Sequence, residues 1–532
     1  MSLSDNKFVS ESKILPVLLK ETEFLADSII SKNAEKIIIA CRENKKERTK
    51  LDAFLSEYGL DNQEGVALMC LAESILRIPD SKTRDLIISE RLSEGKWIDH
   101  VNKADSLFVN ASTWGLLLAG KVVKTPLEWS QNPNKFLRSI VSKSGEFPIR
   151  NAVIAAMHIL SQEFVMGRDF KDVKKIPYIN ESIFSFDMLG EAARNQEQAD
   201  IYYDSYENAI LEVGKLNEAN NKNNGVSIKI SALCPSYEMR KFHDIKSNLI
   251  PKLIALTELG MSKNVEITID AEEQDRLSLS LDLFNTLALD PAIKSWPGLG
   301  IAVQAYGKRS LAVVDWLDNL SKKRDKMHVR LVKGAYWDYE IKNAQVKGLN
   351  GYPVFTNKHL TDLNYLVTAK RLIECKRLDA SFATHNAHSI ASLMSLSESA
   401  DSKIEFQRLY GMGELLYSAC EESYKRFPET TIYCPIGRHK ELLPYLVRRL
   451  LENGANSSFI NKYLNNSIPA MELAQNPGNK ISLPCSGGKE VSCAIELPIG
   501  LHFNAFSVFL KTISRSSPLV LNQYTPLIWA LP

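Results

Sequence analysis

The clearest pattern lies in the second half of the chain, where short apolar runs rich in β-branched residues alternate with longer stretches of helical periodicity. Amphipathic helices are predicted between the runs, for example over 250–259, 276–287 and 360–373. The eight runs cover residues 183–189, 226–233, 265–271, 299–305, 328–332, 381–384, 404–409 and 430–434. Eight strand-then-helix units predict an α/β protein with a parallel (β/α)8 TIM-like barrel.

A further helix is predicted over residues 441–453, where leucine and valine recur at steps of three and four. Its polar residues share one face because they are spaced at i, i+3, i+4 and i+7; they are Tyr445, Arg448, Arg449 and Glu452. Taken alone, this face is either a solvated surface with an Arg–Glu pair or a clamp for an anion, since paired guanidiniums suit a carboxylate or a phosphate.

The flanking regions differ from the barrel pattern. Residues 1–135 are predicted to form an α-helical arm and helical domain, with helical spacing over 14–38 and 66–78. The barrel is assigned to 136–465. Residues 466–532 begin as loop and continue without a clean period, so they stay an unassigned tail that could be the stump of a following domain.

Composition excludes several classes of protein. The chain has 532 residues and a net charge of +2, so it lacks the strong positive charge that would attract nucleic acid. No apolar run reaches membrane-spanning length. The N-terminus lacks a secretion signal. The eight cysteines include no C-x-x-C pair, which predicts reduced thiols in a cytoplasmic protein. His385 and His388 fit no helix-borne metal motif, so no metal is expected.

Polar residues recur near the carboxyl ends of the predicted strands, where barrel enzymes carry their chemistry. From the second run to the eighth they are Lys229, Asp270, Glu272, Gln304, Tyr306, Arg330, Lys333, Tyr336, Trp337, Thr384, His385, Asn386, Gln407 and Tyr433. Together with Arg448 and Arg449, the lysines and Arg330 predict a net positive, partly aromatic mouth. Such a mouth suits a phosphate-bearing cofactor and a carboxylate substrate. No dinucleotide fingerprint is present, so the barrel itself would have to hold a cofactor.

Several of these stretches resemble one known family. TIDAE, VRLVKGAYWD, FATHN, EFQRLYGMGE, IYCPIG and YLVRRLLENGANSSF are similar to the proline dehydrogenase domain of the bacterial proline utilization A family. The resemblance runs from about residue 76 to about residue 461. It implies a distorted (β/α)8 barrel that binds FAD and oxidises L-proline to 1-pyrroline-5-carboxylate, the first step of proline degradation to glutamate. It also implies electron transfer to a membrane quinone, and hence peripheral contact with the inner face of the membrane.

The resemblance also implies roles for single residues. Arg448 and Arg449 would bind the proline carboxylate with Lys229, and Asp270 would orient Tyr433 by a hydrogen bond. The residues packed round the proline ring would be Tyr336, Leu409, Tyr433 and Tyr445, and Glu191 would pair with Arg448 as a gate over the pocket. The residues along the FAD would be Gln304, Arg330, Lys333, Gly334, Trp337, Thr356, Thr384, His385, Asn386 and Glu452.

Two departures from the family limit the expectations. Some members begin with a ribbon-helix-helix domain, and the start of this chain lacks that basic strand–helix–helix pattern, so no DNA binding is predicted. Members of this type also continue into an aldehyde dehydrogenase domain, and this sequence ends about where that domain would begin. The second oxidation is therefore expected from a separate pyrroline-5-carboxylate dehydrogenase.

Two other functions remain open on the residues alone. Lys229 or Lys333 could attack a carbonyl in a Schiff-base lyase, because a lysine in a barrel is a familiar nucleophile. An inactive barrel kept as an interaction scaffold is the third hypothesis. The complete set of polar strand ends favours the dehydrogenase, because a decaying scaffold should have lost part of it.

Overall fold

The computed structural model describes residues 7–44, 80, 82–83, 165–437, 445, 462–463, 465 and 467–481. Its centre is a closed barrel of eight parallel strands, each hydrogen-bonded to the next along the chain, with β8 closing on β1. The strands are β1 (Ile183–Met188), β2 (Gly225–Ile228), β3 (Glu266–Ile269), β4 (Leu299–Gln304), β5 (Met327–Val332), β6 (Leu378–Ala383), β7 (Glu405–Leu409) and β8 (Thr430–Ile436).

Helices surround the barrel and connect its strands. In chain order they are α1 (Glu11–Glu21), α2 (Ser28–Glu43), α3 (Phe170–Val173), α4 (Gln196–Asn220), α5 (Phe242–Ser262), α6 (Leu277–Ala288), α7 (Ser310–Ser321), α8 (Trp337–Val346), α9 (Lys358–Glu374), α10 (Ala387–Ala400), α11 (Glu414–Ser423) and α12 (Ala470–Leu473). The connections from β5 to β6 carry two helices, α8 and α9.

The predicted barrel is confirmed, and each of the eight predicted runs overlaps one strand. The second run was predicted to reach residue 233, but β2 ends at Ile228, and a 3-10 turn follows over Ile230–Ala232. This early end is important for the site, because Lys229 lies between the strand and the turn. The predicted helix over 441–453 lies outside the described residues, except for Tyr445, which is buried.

The N-terminal helices pack on the outside of the barrel. The predicted helix over 14–38 is divided in two, because a short 3-10 turn, Glu23–Ala26, separates α1 from α2. The apolar face of α2, which includes Ile30 and Ile37, is fully buried where the helix packs on α10 and α11. Burying such a face stabilises a helix more than its intrinsic propensity does.

The chain after the barrel is attached to the same helix. Arg42 at the end of α2 donates hydrogen bonds to three backbone carbonyls: Nε to Tyr463 at 2.8 Å, and one terminal nitrogen to Asn465 at 3.0 Å and to Ile468 at 2.7 Å. A guanidinium can satisfy several carbonyls at once because its donors form a fixed fork. Within the described helices, none is long and apolar enough to cross a membrane.

Candidate active site

Lys229 lies inside the carboxyl-terminal end of the barrel, where the chain leaves β2. Its Nζ is 2.5 Å from Oδ1 of Asp187 on β1, 3.2 Å from Oδ2 of Asp270 after β3, and 3.3 Å from the hydroxyl of Tyr433 on β8. An ammonium has three donors, and three acceptors surround this one. The lysine side chain is only 8% exposed, so these contacts replace its hydration.

Arg330 on β5 reaches across the barrel interior to the strands on its other side. One terminal nitrogen donates to Oγ of Ser185 on β1 at 2.7 Å, and the other donates to Oγ of Ser227 on β2 at 2.9 Å and to Asp270 at 3.0 Å. The guanidinium carbon lies 5.2 Å from the centre of the Tyr433 ring, in cation–π range. Arg330 therefore links four strands through one side chain.

Tyr433 donates a hydrogen bond of 2.7 Å to Oδ2 of Asp270, the contact that the family resemblance implied. Burial raises the pKa of the Tyr433 hydroxyl, and the negative charges of Asp187 and Asp270 raise it further. The phenol therefore stays neutral and remains a donor. Its position is fixed by the same carboxylate that holds Lys229 and Arg330.

The two charges of the Lys229–Asp187 pair depend on each other. Burial lowers the pKa of Lys229, but the negative charges of Asp187 and Asp270 outweigh burial and raise it above its ordinary value. Burial raises the pKa of Asp187, and the ammonium of Lys229 opposes that shift. Lys229 is therefore an ammonium ion in this arrangement, which does not favour a nucleophilic amine as a Schiff-base lyase requires.

A second group of charged residues lies at the rim of the barrel, after β5. Lys333 pairs with Asp362 on α9, and Lys358 pairs with the other oxygen of the same carboxylate at 3.2 Å. Burial raises the pKa of Asp362, but the charges of the two lysines outweigh burial and hold that pKa below its ordinary value. We call Lys333, Lys358 and Asp362 the rim cluster.

The backbone beside the rim cluster is unusual. Gly334 has φ +135°, and an added Cβ would lie 2.4 Å from the ring of Tyr306, so this position requires glycine. Gln304 at the end of β4 supports the turn, because its side chain donates to the carbonyl of Glu272 at 2.7 Å and accepts from the amide of Ala335 at 3.2 Å.

Trp337 and Thr356, both predicted along a cofactor, lie on the same side of the barrel. The indole of Trp337 donates to the carbonyl of Phe355 at 2.8 Å. Both donors of Thr356 are directed to the carboxylate of Glu11 in the N-terminal segment, with its amide nitrogen at 2.6 Å and its hydroxyl at 3.0–3.1 Å. No pattern in the sequence predicts this contact, because the two residues are 345 positions apart.

The residues that follow β6 take part in local hydrogen bonds. Asn386 caps α10 by accepting from the amide of Ser389 at 3.0 Å, and its own amide donates to Oγ1 of Thr384 at 3.2 Å. Nε2 of His385 accepts from the amide of Leu409 at 3.2 Å. These contacts fix the start of α10 and join the ends of β6 and β7.

The remaining predicted site residues fall into two groups. Glu191 follows β1, Tyr336 precedes α8 and Leu409 ends β7, and all three are half-buried at the carboxyl ends of the strands. Arg448, Arg449 and Glu452 lie outside the described residues, so the guanidinium clamp and the pairing of Glu191 with Arg448 stay predictions.

The predicted cations in the described part of the mouth have carboxylate partners, and Arg448 and Arg449 lie outside the described residues, so the net positive charge of the mouth stays a prediction. Lys229 and Arg330 are paired with Asp187 and Asp270, and Lys333 is paired with Asp362. Asp187 and Asp362 were not among the predicted site residues. Asp187 carried the same signal as the other sites, since it is a carboxylate late in an apolar strand, whereas Asp362 lies on a helix with no local sign of its partner.

A closed parallel barrel with a network of buried charges at the carboxyl ends of its strands is the architecture of a barrel enzyme. The family model described as "Proline dehydrogenase" matches residues 172–462, more than half of the chain. The chain belongs to the proline dehydrogenase family. A second model, described as "DNA-binding domain of Proline dehydrogenase", matches residues 50–164. That match does not support the expectation that the chain lacks DNA binding.

Curated relatives carry the name bifunctional protein PutA. The protein from Klebsiella aerogenes is 45% identical over 439 residues, which is 80% of this chain and 33% of the relative. The protein from Rhizobium meliloti is 39% identical over 495 residues, which is 91% of this chain and 40% of the relative. The chain thus spans about a third to two fifths of the length of these relatives.

Solved structures of proline utilization A have the same architecture. A crystal structure from Bradyrhizobium japonicum aligns with a TM-score of 0.67 and 38% identity, over 89% of this chain and 48% of that chain. A structure from Bdellovibrio bacteriovorus, inactivated by N-propargylglycine, aligns with a TM-score of 0.68 and 25% identity, over 86% of this chain and 44% of that one.

Proposed function

We propose that the chain is an FAD-dependent proline dehydrogenase that oxidises L-proline to 1-pyrroline-5-carboxylate. The observation that carries the proposal is the buried network of Lys229, Asp187, Asp270, Arg330 and Tyr433 at the catalytic end of the barrel. Burying four charged groups is costly unless they serve a purpose at the site or are compensated by partners. Membership of the proline dehydrogenase family supports the same reaction.

The residues at the mouth fit a flavin. Nε of Arg330 is buried and has no hydrogen-bond partner among the described residues, so one donor of the guanidinium remains available. Gly334 is required by the close approach of the Tyr306 ring, and it shapes the turn that carries Lys333. The residues that would hold FAD are Gln304, Arg330, Lys333, Gly334, Trp337, Thr356, Thr384, His385, Asn386 and Glu452.

FAD, when bound, supplies an acceptor for the hydride that leaves the proline carbon next to nitrogen. The chain's own residues bind and orient the substrate. Arg448 and Arg449 hold the carboxylate, and Tyr336, Leu409, Tyr433 and Tyr445 enclose the ring. Holding the reacting carbon in one position accounts for a large share of the rate in such a reaction. Glu191 pairs with Arg448 and closes the pocket.

The cations of the site also affect the substrate nitrogen. Hydride transfer requires the neutral amine, and nearby positive charge lowers the pKa of the bound ammonium. Lys229 already has three acceptors, so it contributes its charge and fixes Tyr433, while the arginines provide direct donors to the carboxylate. With FAD bound, Arg330 would stabilise negative charge on the flavin.

The electrons are then passed to a quinone at the inner face of the membrane, where the otherwise cytoplasmic protein makes peripheral contact. The product is oxidised further by a pyrroline-5-carboxylate dehydrogenase. Both steps rest on the family resemblance, and both concern partners of the protein rather than the barrel itself.

The test is anaerobic mixing of the purified protein with L-proline while the flavin absorbance is followed. We expect a bound flavin that bleaches with L-proline and, over time, with N-propargylglycine, which inactivates the Bdellovibrio bacteriovorus relative. A protein without flavin would contradict the proposal. In that case, borohydride trapping of a carbonyl substrate on lysine would support the lyase, and failure of trapping would support the scaffold.

The clamp has its own test. Arg449→Met should weaken substrate binding by about 2–4 kcal/mol, because a charge-assisted contact in a shielded site is lost. The Michaelis constant for L-proline measures this change. An unchanged constant would remove Arg449 from the substrate site and leave the flavin reaction itself in place.

A further inference from the structure

The N-terminal segment crosses three of the loops that surround the barrel mouth. Lys7 pairs with Asp275 in the loop after β3 at 2.8 Å, and the carbonyl of Val9 accepts from Lys308 in the loop after β4 at 2.9 Å. Glu11 accepts both donors of Thr356 in the loop before α9. We call residues 7–11 the strap, since alternate residues bind successive loops.

Glu11 is the most buried residue of the strap. Glu11 is only 8% exposed, although it lies near the start of the described chain and on the first turn of α1. A carboxylate removed from water requires strong donors, and here it has the backbone amide and the hydroxyl of one threonine. Charge-assisted hydrogen bonds of this kind are shorter and stronger than neutral ones.

Thr356 is joined directly to the rim cluster. The next residue, Asn357, caps α9 by accepting from the amide of His359, and α9 carries both Lys358 and Asp362. Asp362 in turn holds Lys333 at the end of β5. Fixing Thr356 therefore fixes where α9 begins and where the partner of Lys333 stands.

We infer that Glu11 is a positioning residue for the cofactor site: through Thr356 and the start of α9 it holds the rim cluster in the arrangement that binds FAD. The inference rests on the proposed function, because Thr356 and Lys333 are assigned to the cofactor there. Beyond that function, it assigns to the N-terminal segment a role in positioning the FAD site.

The experiment measures the dissociation constant of FAD for the full chain, by titrating flavin-free protein and following flavin fluorescence. Glu11→Ala should raise the constant about tenfold, as expected when charge-assisted hydrogen bonds are lost. Glu11→Gln should recover part of the affinity and bind FAD about threefold more weakly than the wild type, because its side-chain oxygen still accepts from the Thr356 amide but carries no charge.

Glu21→Ala provides the matched control. Glu21 is at the other end of α1 and also contacts α9, through Lys370 at 3.1 Å, but its side chain is 48% exposed. Glu21→Ala should leave the affinity for FAD unchanged. The comparison therefore distinguishes a positioning role of Glu11 from a general contribution of α1 to stability. Equal effects of the two alanine variants, or an unchanged constant in Glu11→Ala, would overturn the inference.

Two further arrangements keep the result interpretable. Thermal unfolding of the flavin-free proteins checks that each variant folds. If Glu11→Ala does not fold, the dissociation constant of FAD is compared between Glu11→Gln and Glu21→Gln. We expect the constant of Glu11→Gln to be about threefold higher. FAD titration tests the inference and bleaching by L-proline tests the proposed function, so either can fail alone. A wild-type chain that does not bind FAD would overturn the inference together with the cofactor assignment.

Discussion

The barrel interior and the rim hold their charges in different ways. In the interior, the side chains of Lys229 and Arg330 are 8% and 4% exposed, and both reach acceptors on or next to other strands of the barrel. At the rim, the side chains of Lys333 and Lys358 are 24% and 39% exposed, and they share one carboxylate on a helix. The strands of the barrel therefore fix the charged side chains of the interior, whereas the position of α9 determines that of the rim charges.

This difference separates two tasks that a barrel enzyme must perform. A network of buried charges inside the barrel cannot move without disturbing several strands, so it is suited to holding reacting atoms in fixed positions. Partly exposed lysines can reorient and exchange a protein carboxylate for a ligand phosphate at lower cost. We therefore expect mutations in the interior to affect stability and chemistry strongly, and mutations at the rim to have smaller effects.

The largest effect should come from Asp187→Ala. It leaves the buried ammonium of Lys229 without its shortest contact, and removing one partner of a buried ion pair costs about 3–5 kcal/mol. Urea unfolding monitored by circular dichroism measures the loss. Asp200→Ala, which breaks an exposed pair with Lys252, should cost less than about 1 kcal/mol. Similar costs for both variants would remove the distinction between interior and surface pairs.

Asp270→Ala should have the next largest effect, and mainly on chemistry. It removes the acceptor shared by Tyr433, Lys229 and Arg330, so the phenol and the guanidinium lose their common anchor. Displacement of such groups should slow flavin reduction by L-proline about 100-fold. Stopped-flow absorbance gives the rate, and Asp282→Ala on the outer face of α6 is the control. A variant emptied of flavin would contradict the role given to Asp270.

Asp362→Asn at the rim should have the smallest effect, a pH-dependent loss of the free energy of unfolding. Burial raises its pKa, but Lys333 and Lys358 hold the folded-state pKa below the ordinary value. A lowered pKa stabilises the fold above the unfolded pKa of about 4, and this stabilisation is lost as the pH falls further. The wild type should exceed Asp362→Asn by about 1–2 kcal/mol at pH 6, and by less at pH 3.5.

Urea unfolding at both pH values measures that difference, and Lys322→Gln, which breaks an exposed pair with Asp318, should show no comparable pH dependence. A gap between wild type and Asp362→Asn that grows as the pH falls would have the wrong sign. It would mean that Asp362 is neutral in the fold and that the rim lysines do not hold its charge.

Much of the fold could be predicted because a parallel strand buried on both faces appears as a continuous apolar run. The errors lie at strand ends. β6 begins at Leu378 rather than at residue 381, because the exposed Asp379 interrupts the apolar run but still pairs in the sheet. β2 stops before Lys229, because the chain turns there into a 3-10 segment that no local composition marks.

The site was predicted in part for a related reason. Polar residues late in apolar strands lie together at one end of a parallel barrel, which brought Lys229, Asp270, Arg330 and Tyr433 into contact. Their compensating groups were harder to find. Asp362 and Glu11 meet their partners only through tertiary structure, at separations of 29 and 345 residues, and helical periodicity carries no information about such contacts.

The attachment of Arg42 to the chain after the barrel has a consequence for biosynthesis. The donor and its first acceptor are 421 residues apart, and the helices that cover α2 are also translated late. At about 5–20 residues per second, a ribosome needs roughly 20–80 s to make that stretch. Throughout that interval the apolar side of α2 has emerged without the surfaces that finally enclose it, so we expect the nascent chain to bind chaperones before the barrel closes.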